Sequence, residues 1–214
     1  MMSPSTRHST LDITVFVIDD DASVRKSLSR LLRSAGYTAE TFSSAEEFLR
    51  REHFDGVGCI LLDVRMPGLS GMDLQEKLNK ADYPMPIVFI TGHGDIPMTV
   101  EAMKKGAVDF LTKPFDDEGL LQALRAAIEK DRKGRVEYTE VHEIRRLIEL
   151  LTPRENEILR YVVTGMLNKQ IALELGIAEK TVKVHRGRVM EKLGVDSVAE
   201  LVRLAEKAGI KPPK

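Results

Sequence analysis

The sequence predicts an α/β fold in two parts: an N-terminal parallel sheet and a C-terminal all-α domain, joined by a helical linker. Three observations carry that prediction. Short apolar runs at residues 13–18, 59–62, 87–90 and 108–111 each end in polar or charged residues, as buried parallel strands do where they open onto a ligand rim. Beyond Thr152 the pattern changes to apolar residues spaced three and four apart, with helix-start residues ahead of them. Charge changes with it. Acidic residues outnumber basic ones in residues 1–130 and the reverse holds in residues 152–214, although the whole chain carries a formal net charge of -1.

The strand ends are chemically specific. Asp19 and Asp20 close the first run, Asp63 the second and Thr91 the third, while Lys113 follows the fourth by two residues. Clustered carboxylates repel unless something positive offsets them, and a hard divalent cation takes oxygen ligands. An ammonium and a hydroxyl can hold phosphoryl oxygens, and one carboxylate can act as nucleophile. Taken singly, Thr91 reads as a strand-end hydroxyl, Lys113 as a solvated lysine and the acids as a solvated turn. Together, at the carboxyl ends of parallel strands, they point to phosphoryl transfer. Asp21, with Ser23 beside it, reads as a helix cap.

These residues carry a family resemblance. Asp19-Asp20, Asp63-Val-Arg-Met-Pro-Gly, Thr91-Gly-His-Gly-Asp-Ile-Pro-Met and Lys113-Pro114-Phe115 resemble the flavodoxin-like receiver domain of bacterial two-component response regulators, and the Thr91 to Phe115 stretch is similar to the FixJ branch. The resemblance covers roughly residues 12–130 and implies a doubly wound, five-stranded parallel sheet. It implies that Asp63 is the phospho-acceptor of a sensor histidine kinase. It implies a Mg²⁺ (or Mn²⁺) ion on Asp20, Asp63 and the backbone carbonyl of Arg65, with Asp19 reaching it through water. Lys113 and Thr91 would hold the phosphoryl group, and Phe110 occupies the place of a switch aromatic whose alternative reading is a core residue. Arg65 and His93 would flank the site. Lys113-Pro114 falls where the family has a cis peptide, whereas sequence alone predicts trans.

The C-terminal region opens with Thr152-Pro153-Arg154-Glu155, a cap, a first-turn proline and a capping-box glutamate, and Gly165 ends that helix. Asn168 is expected to cap a short helix carrying Ile171, Ala172 and Leu175, closed by Gly176. A third helix runs from about Glu179 to Leu193. A fourth begins at Ser197, with Glu200 completing a capping box, and stops near Gly209. Two helices about a short glycine-containing turn suggest helix-turn-helix. On the third helix Val182, His185, Val189 and Leu193 share one face. Lys180, Lys183, Val184, Gly187, Arg188 and Glu191 share the other, a basic surface with an apolar spot suited to the major groove. The alternative is a solvated charged face.

Leu151-Thr-Pro-Arg-Glu, Asn168-Lys-Gln-Ile-Ala and Lys180-Thr-Val-Lys-Val-His-Arg resemble the LuxR-type helix-turn-helix domain of FixJ and NarL-like regulators; the resemblance covers about residues 150–208, and the DNA-binding domain is expected over residues 151–210. The resemblance implies that Lys183 and Val184 approach bases. Gly187 stands where NarL-like members use a further basic residue, with Arg186 and Arg188 beside it as substitutes. Lys169, Lys180 and Thr181 are the expected phosphate contacts.

Between the domains, residues 131–150 read as helix, with a break near Gly134. Val141, Ile144, Ile148 and Leu151 form a short stripe that suits either a coiled-coil seam or packing on its own domain. At 214 residues and 43% hydrophobic, the chain is long enough for two cores. No run approaches the roughly 20 apolar residues of a membrane span, and Pro4, Arg7 and His8 with no apolar run before Leu11 do not make a signal peptide, so a cytoplasmic location is expected. The single cysteine, Cys59, reads as a small buried hydrophobe. His8, His53, His93, His142 and His185 show no metal-ligand spacing. The expected function is phosphorylation-controlled DNA binding, with a histidine kinase, promoter DNA, a second copy of the chain and RNA polymerase as partners and no membrane. A rival, an aspartyl phosphatase of the haloacid-dehalogenase kind, lacks its second carboxylate because Val64 and Arg65 follow Asp63. Another rival keeps DNA binding but makes the receiver a phosphorylation-independent interface.

Overall fold

A computed structural model describes residues 13–52, 54–81, 83–92 and 96–213. The chain divides into two compact units, Met1–Arg135 and Val136–Lys214. The first contains β1 (Ile13–Ile18), α1 (Ala22–Ser34), β2 (Thr38–Phe42), α2 (Ala45–Leu49), β3 (Val57–Asp63), α3 (Gly71–Leu78), β4 (Ile87–Thr91), α4 (Ile96–Lys104), β5 (Asp109–Thr112) and the first part of α5 (Asp117–Glu149). All paired strands run parallel, in the order β2-β1-β3-β4-β5. This is the doubly wound sheet the sequence predicts.

The period-two alternation of side chains divides the core into two layers. Val15, Val17, Cys59, Leu61, Val88 and Ile90 pack under α1 and α5, whereas Phe16, Ile18, Ile60, Leu62, Ile87 and Phe89 pack against α2, α3 and α4. Cys59 is fully buried, and burial pushes its thiol well above the ordinary value, so it behaves as the expected hydrophobe. The strand that no apolar run announces is β2. As an edge strand it exposes Thr38, Glu40 and Thr41 and buries only Ala39, so its polarity hides it.

The helix α5 corrects the reading at Gly134, since it continues unbroken from Asp117 to Glu149. A Cβ at Gly134 would lie 2.6 Å from the Tyr83 hydroxyl oxygen. That hydroxyl donates to the Asp131 carbonyl at 2.7 Å and to Asp131 Oδ1 at 3.0 Å. The fully buried Asp131 also accepts from the Gly58 amide at 3.0 Å and from Arg135 Nε at 2.8 Å. The glycine admits a tyrosine against the helix backbone; it does not end the helix.

The second unit holds the end of α5, then α6 (Pro153–Val162), α7 (Asn168–Glu174), α8 (Glu179–Leu193) and α9 (Val198–Lys207). Ile158, Leu159, Ile171, Val182, Val189 and Leu201 are buried in its core. Ile148 and Leu151 join that core with Ile144 packed against it, so the stripe from Ile144 onward packs within its own unit. The capping box at Thr152 and Glu155 forms as predicted. Two other caps differ. Gln170, not Asn168, satisfies the start of α7 by accepting the Leu167 amide at 2.8 Å, because Asn168 is already the first helical residue. At α9 Ser197 accepts the Glu200 amide at 3.2 Å, but the Glu200 carboxylate reaches one residue further back, to the Asp196 amide at 3.0 Å. His185 is half-buried where the sequence predicts a core position. No helix among the described residues is long and apolar enough to cross a membrane.

Candidate functional site

Four of the predicted residues meet at the carboxyl edge of the sheet. Lys113 Nζ lies 2.6 Å from Asp19 Oδ2 and 2.8 Å from Asp63 Oδ1, bridging the ends of β1 and β3. The Lys113 amide donates to the Thr91 carbonyl at 2.7 Å, which seats the lysine beside the end of β4, and the Lys113-Pro114 peptide is cis. Thr91 is buried. The remaining oxygens of both aspartates are held by backbone: Asp19 Oδ1 accepts from the Asp21 amide at 2.9 Å and Asp63 Oδ2 from the Arg65 amide at 2.8 Å. Asp21 caps α1 by accepting from the Ser23 and Val24 amides, as predicted. Phe110 is half-buried, its ring centroid 6.0 Å from that of Phe89, so in this conformation the aromatic is part of the core layer.

The electrostatics follow from burial and one shared cation. Burial pushes the Asp63 carboxyl above its ordinary range; the Lys113 hydrogen bond and charge pull it back only in part, and the neighbouring Asp19 charge raises it further. For Lys113 burial acts downward, but its bonds to Asp19 and Asp63 outweigh it, so the ammonium holds its proton more tightly than usual. A metal would have to share these oxygens with the lysine. Among the described residues no three His, Cys, Asp or Glu side chains are gathered closely enough to hold one, and Asp20 is exposed. The donor chemistry nevertheless fits, since carboxylate oxygens at adjacent strand ends suit a hard divalent cation.

Three supporting residues were not singled out from sequence. Arg25, one turn into α1, donates to the Asp19 carbonyl at 2.6 Å. Glu46 on α2 accepts the Leu69 amide at 3.0 Å and so braces the loop after β3. Gly71 lets α3 start against that loop, because a Cβ there would lie 2.3 Å from the Asp63 carbonyl oxygen. Only Gly71, next to the cap Ser70, carried a local signal. His93 lies outside the described residues.

In the second unit α7 and α8 form the predicted helix-turn-helix. Lys180, Thr181, Lys183, Gly187, Arg188 and Glu191 are exposed on α8, and Val184 is 47% exposed among them. A Cβ at Gly187 would meet nothing within 4 Å, so that position is open to close approach. Lys169 is exposed on α7. Arg186 is engaged elsewhere: its Nη1 donates to Asn168 Oδ1 at 2.9 Å, tying α8 to the start of α7. From the back of α8, Lys192 Nζ reaches Glu155 Oε2 at 2.7 Å and the Leu150 carbonyl at 3.1 Å.

Comparison with known families agrees with both kinds of domain. The response regulator receiver domain family matches residues 15–125, and the LuxR family of bacterial regulatory proteins matches residues 149–205. The chain belongs to the LuxR-type two-component response regulators. It is 53% identical to nodulation protein W of Bradyrhizobium diazoefficiens over 92% of this chain and 86% of that one. It is 42% identical to the transcriptional regulatory protein FixJ of the same organism, over 92% of this chain and 96% of that one. A solved structure of the response regulator StyR, 51% identical, superposes with a TM-score of 0.74 over 92% of this chain and 99% of that one. This response regulator therefore couples a receiver to a DNA-binding domain. Its domains imply a histidine kinase and DNA as partners.

Proposed function

We propose that this response regulator accepts a phosphoryl group from a sensor histidine kinase on Asp63 and, once phosphorylated, binds promoter DNA as a homodimer. The Lys113 ammonium between Asp19 and Asp63 is the observation that carries the reading. It places a fixed positive charge beside a carboxylate oxygen at the mouth of a parallel sheet. In the transfer the P–N bond of the donor phosphohistidine breaks and its electron pair returns to the imidazole. An Asp63 oxygen forms the new P–O bond, giving an acyl phosphate. Lys113 then pairs with the phosphoryl oxygens and the Thr91 hydroxyl turns toward them. Asp20, Asp63 and the Arg65 carbonyl, with Asp19 through water, would hold a Mg²⁺ or Mn²⁺ ion, which supplies charge neutralisation when bound. The only covalent chemistry is phosphorylation at Asp63 and its hydrolysis, and the protein works in the cytoplasm.

The readout runs through packing. Drawing Thr91 inward frees space that Phe110 can take, repacking the surface of α4 and β5 where two copies would meet. Paired helix-turn-helix domains then bind two half-sites with avidity. Lys183 and Val184 approach bases, Arg188 supplies a further basic contact, and Lys169, Lys180 and Thr181 hold phosphates. Arg186 acts mainly by fixing α8 on Asn168, with RNA polymerase recruited by the bound dimer.

The test exposes full-length protein and its Asp63→Asn variant to a random DNA pool with Mg²⁺, with and without a small acyl phosphate donor. The expected result is a covalent phosphoprotein and enrichment of a two-fold-related site in the wild type alone, only with donor. Asp63→Asn protein that still becomes phosphorylated, or wild-type enrichment indifferent to donor, would overturn the proposal.

A further inference from the structure

We propose that the outer face of α1 is a binding site for a small oligophosphate anion, separate from the phosphoryl site. Arg25, Lys26, Ser29, Arg30, Arg33 and Thr41 line a concave site of about 450 Å³ between α1 and the edge strand β2. That volume lies within the range of small-molecule sites. The helix contributes four cations and no acidic residue, in a part of the chain where acids outnumber bases. Among the described residues, the side chains of Lys26, Arg30 and Arg33 make no hydrogen bond or ion pair. Arg25 is committed to the Asp19 carbonyl. The Glu47 carboxylate, which feels the charge of Arg25, is itself occupied by the Ser43 amide and hydroxyl, both at 2.6 Å.

Four like charges on one helix face repel each other, so the arrangement is improved by a ligand of several negative charges. Guanidinium forks match phosphate oxygens bidentately, and the Ser29 and Thr41 hydroxyls add donors of the kind phosphates accept. A single phosphate would engage two of the cations at most, because Lys26 and Arg33 stand two helical turns apart, roughly 10 Å along the axis. A pyrophosphate or the phosphate tail of a nucleotide spans more of that distance. The lining contains no aromatic side chain, so the recognition is of the phosphates.

The test titrates full-length protein with inorganic pyrophosphate at about 0.15 M salt, where exposed single charges are largely screened. It is done without Mg²⁺, following heat and the backbone amide shifts of Lys26, Ser29, Arg33 and Thr41. The variant is Lys26→Glu with Arg33→Glu. A control, Lys77→Glu with Lys80→Glu, makes the same change in net charge on α3 and just after it. We expect saturable binding that shifts those amides, about tenfold or more weaker in the α1 variant, and unchanged in the control. Circular dichroism checks that both variants fold, and the neutral pair Lys26→Gln with Arg33→Gln gives an intermediate loss. An ATP arm distinguishes the source: affinity equal to pyrophosphate assigns a free oligophosphate, and tighter binding a nucleotide. Absent saturation, shifts confined to the helix-turn-helix unit, or equal weakening in the control would overturn the proposal. None of these readouts depends on Asp63, so failure here leaves the phosphoryl-transfer reading standing.

Discussion

Glu155 offers a sharp test of how the DNA-binding unit is held together. Its carboxylate is 3% exposed and accepts two donors, the Thr152 amide at 2.8 Å and Lys192 Nζ at 2.7 Å. It thus closes the capping box of α6 and pins the far end of α8 in one step. The Lys192 bond, followed by the Thr152 amide, lowers its carboxyl from 4.5 to about 2. Glu155→Gln keeps an oxygen for the Thr152 amide but removes the charge facing Lys192, a loss of about 1–2 kcal/mol. Glu155→Ala also orphans the amide, for a total of about 2–4 kcal/mol. In a unit of this size about 1 kcal/mol moves the midpoint by roughly 4–8 °C. Because the folded value lies below the ordinary one, the stabilisation is complete above pH 4.5 and is lost as the pH falls toward about 2. Amide hydrogen exchange of α6 and α8 in the whole chain reads this unit by itself. Glu155→Gln amides should exchange faster than wild type at neutral pH, with the gap closing in acid. Equal exchange at neutral pH, or a gap that persists unchanged down to about pH 2, would refute the reasoning.

Four further predictions concern other links. Asp63 has a raised carboxyl value, so its ionisation opposes folding: its contribution is fullest below the ordinary 3.8 and declines as the pH rises through the raised value. Asp63→Asn should flatten that part of the stability profile in urea titrations, and an unchanged slope would mean the site is wetter than it looks. Lys183→Ala should relax base preference at one position by about 1–3 kcal/mol. Arg186→Ala, which frees α8 from Asn168, should instead weaken binding to all sequences alike; selective loss on one base pair would give Arg186 a base contact. Gly134→Ala should cost about 1–3 kcal/mol by pushing Tyr83 off Asp131, which a leucine at Tyr83 should partly rescue; a neutral Gly134→Ala would show that the tyrosine can step aside.

Much of this protein was legible from residue order alone. Apolar runs ending in Asp19, Asp63 and Thr91 announce strands whose carboxyl ends share one rim, since parallel strands all deliver their C-terminal residues to the same edge. Thr152-Pro153-Arg154-Glu155 announces a helix start because its groups satisfy one another within four residues. The faces of α8 follow from a period of 3.6, except at His185, where packing rather than period sets how deep a side chain sits. Only the tertiary structure decided the rest. The edge strand β2 is written in polar residues because one side of it meets water. The glycine inside the continuous α5 answers to Tyr83, far off in sequence, whose hydroxyl takes the space a side chain at Gly134 would need. Asn168 became a partner of Arg186 instead of a cap once α7 and α8 were packed. Lys113 sits between Asp19 and Asp63 because β1, β3 and β5, about fifty residues apart in sequence, all end at the same edge of the sheet. Local periodicity and capping act over a few residues and survive in the sequence, whereas contacts between distant segments exist only after the chain has closed on itself.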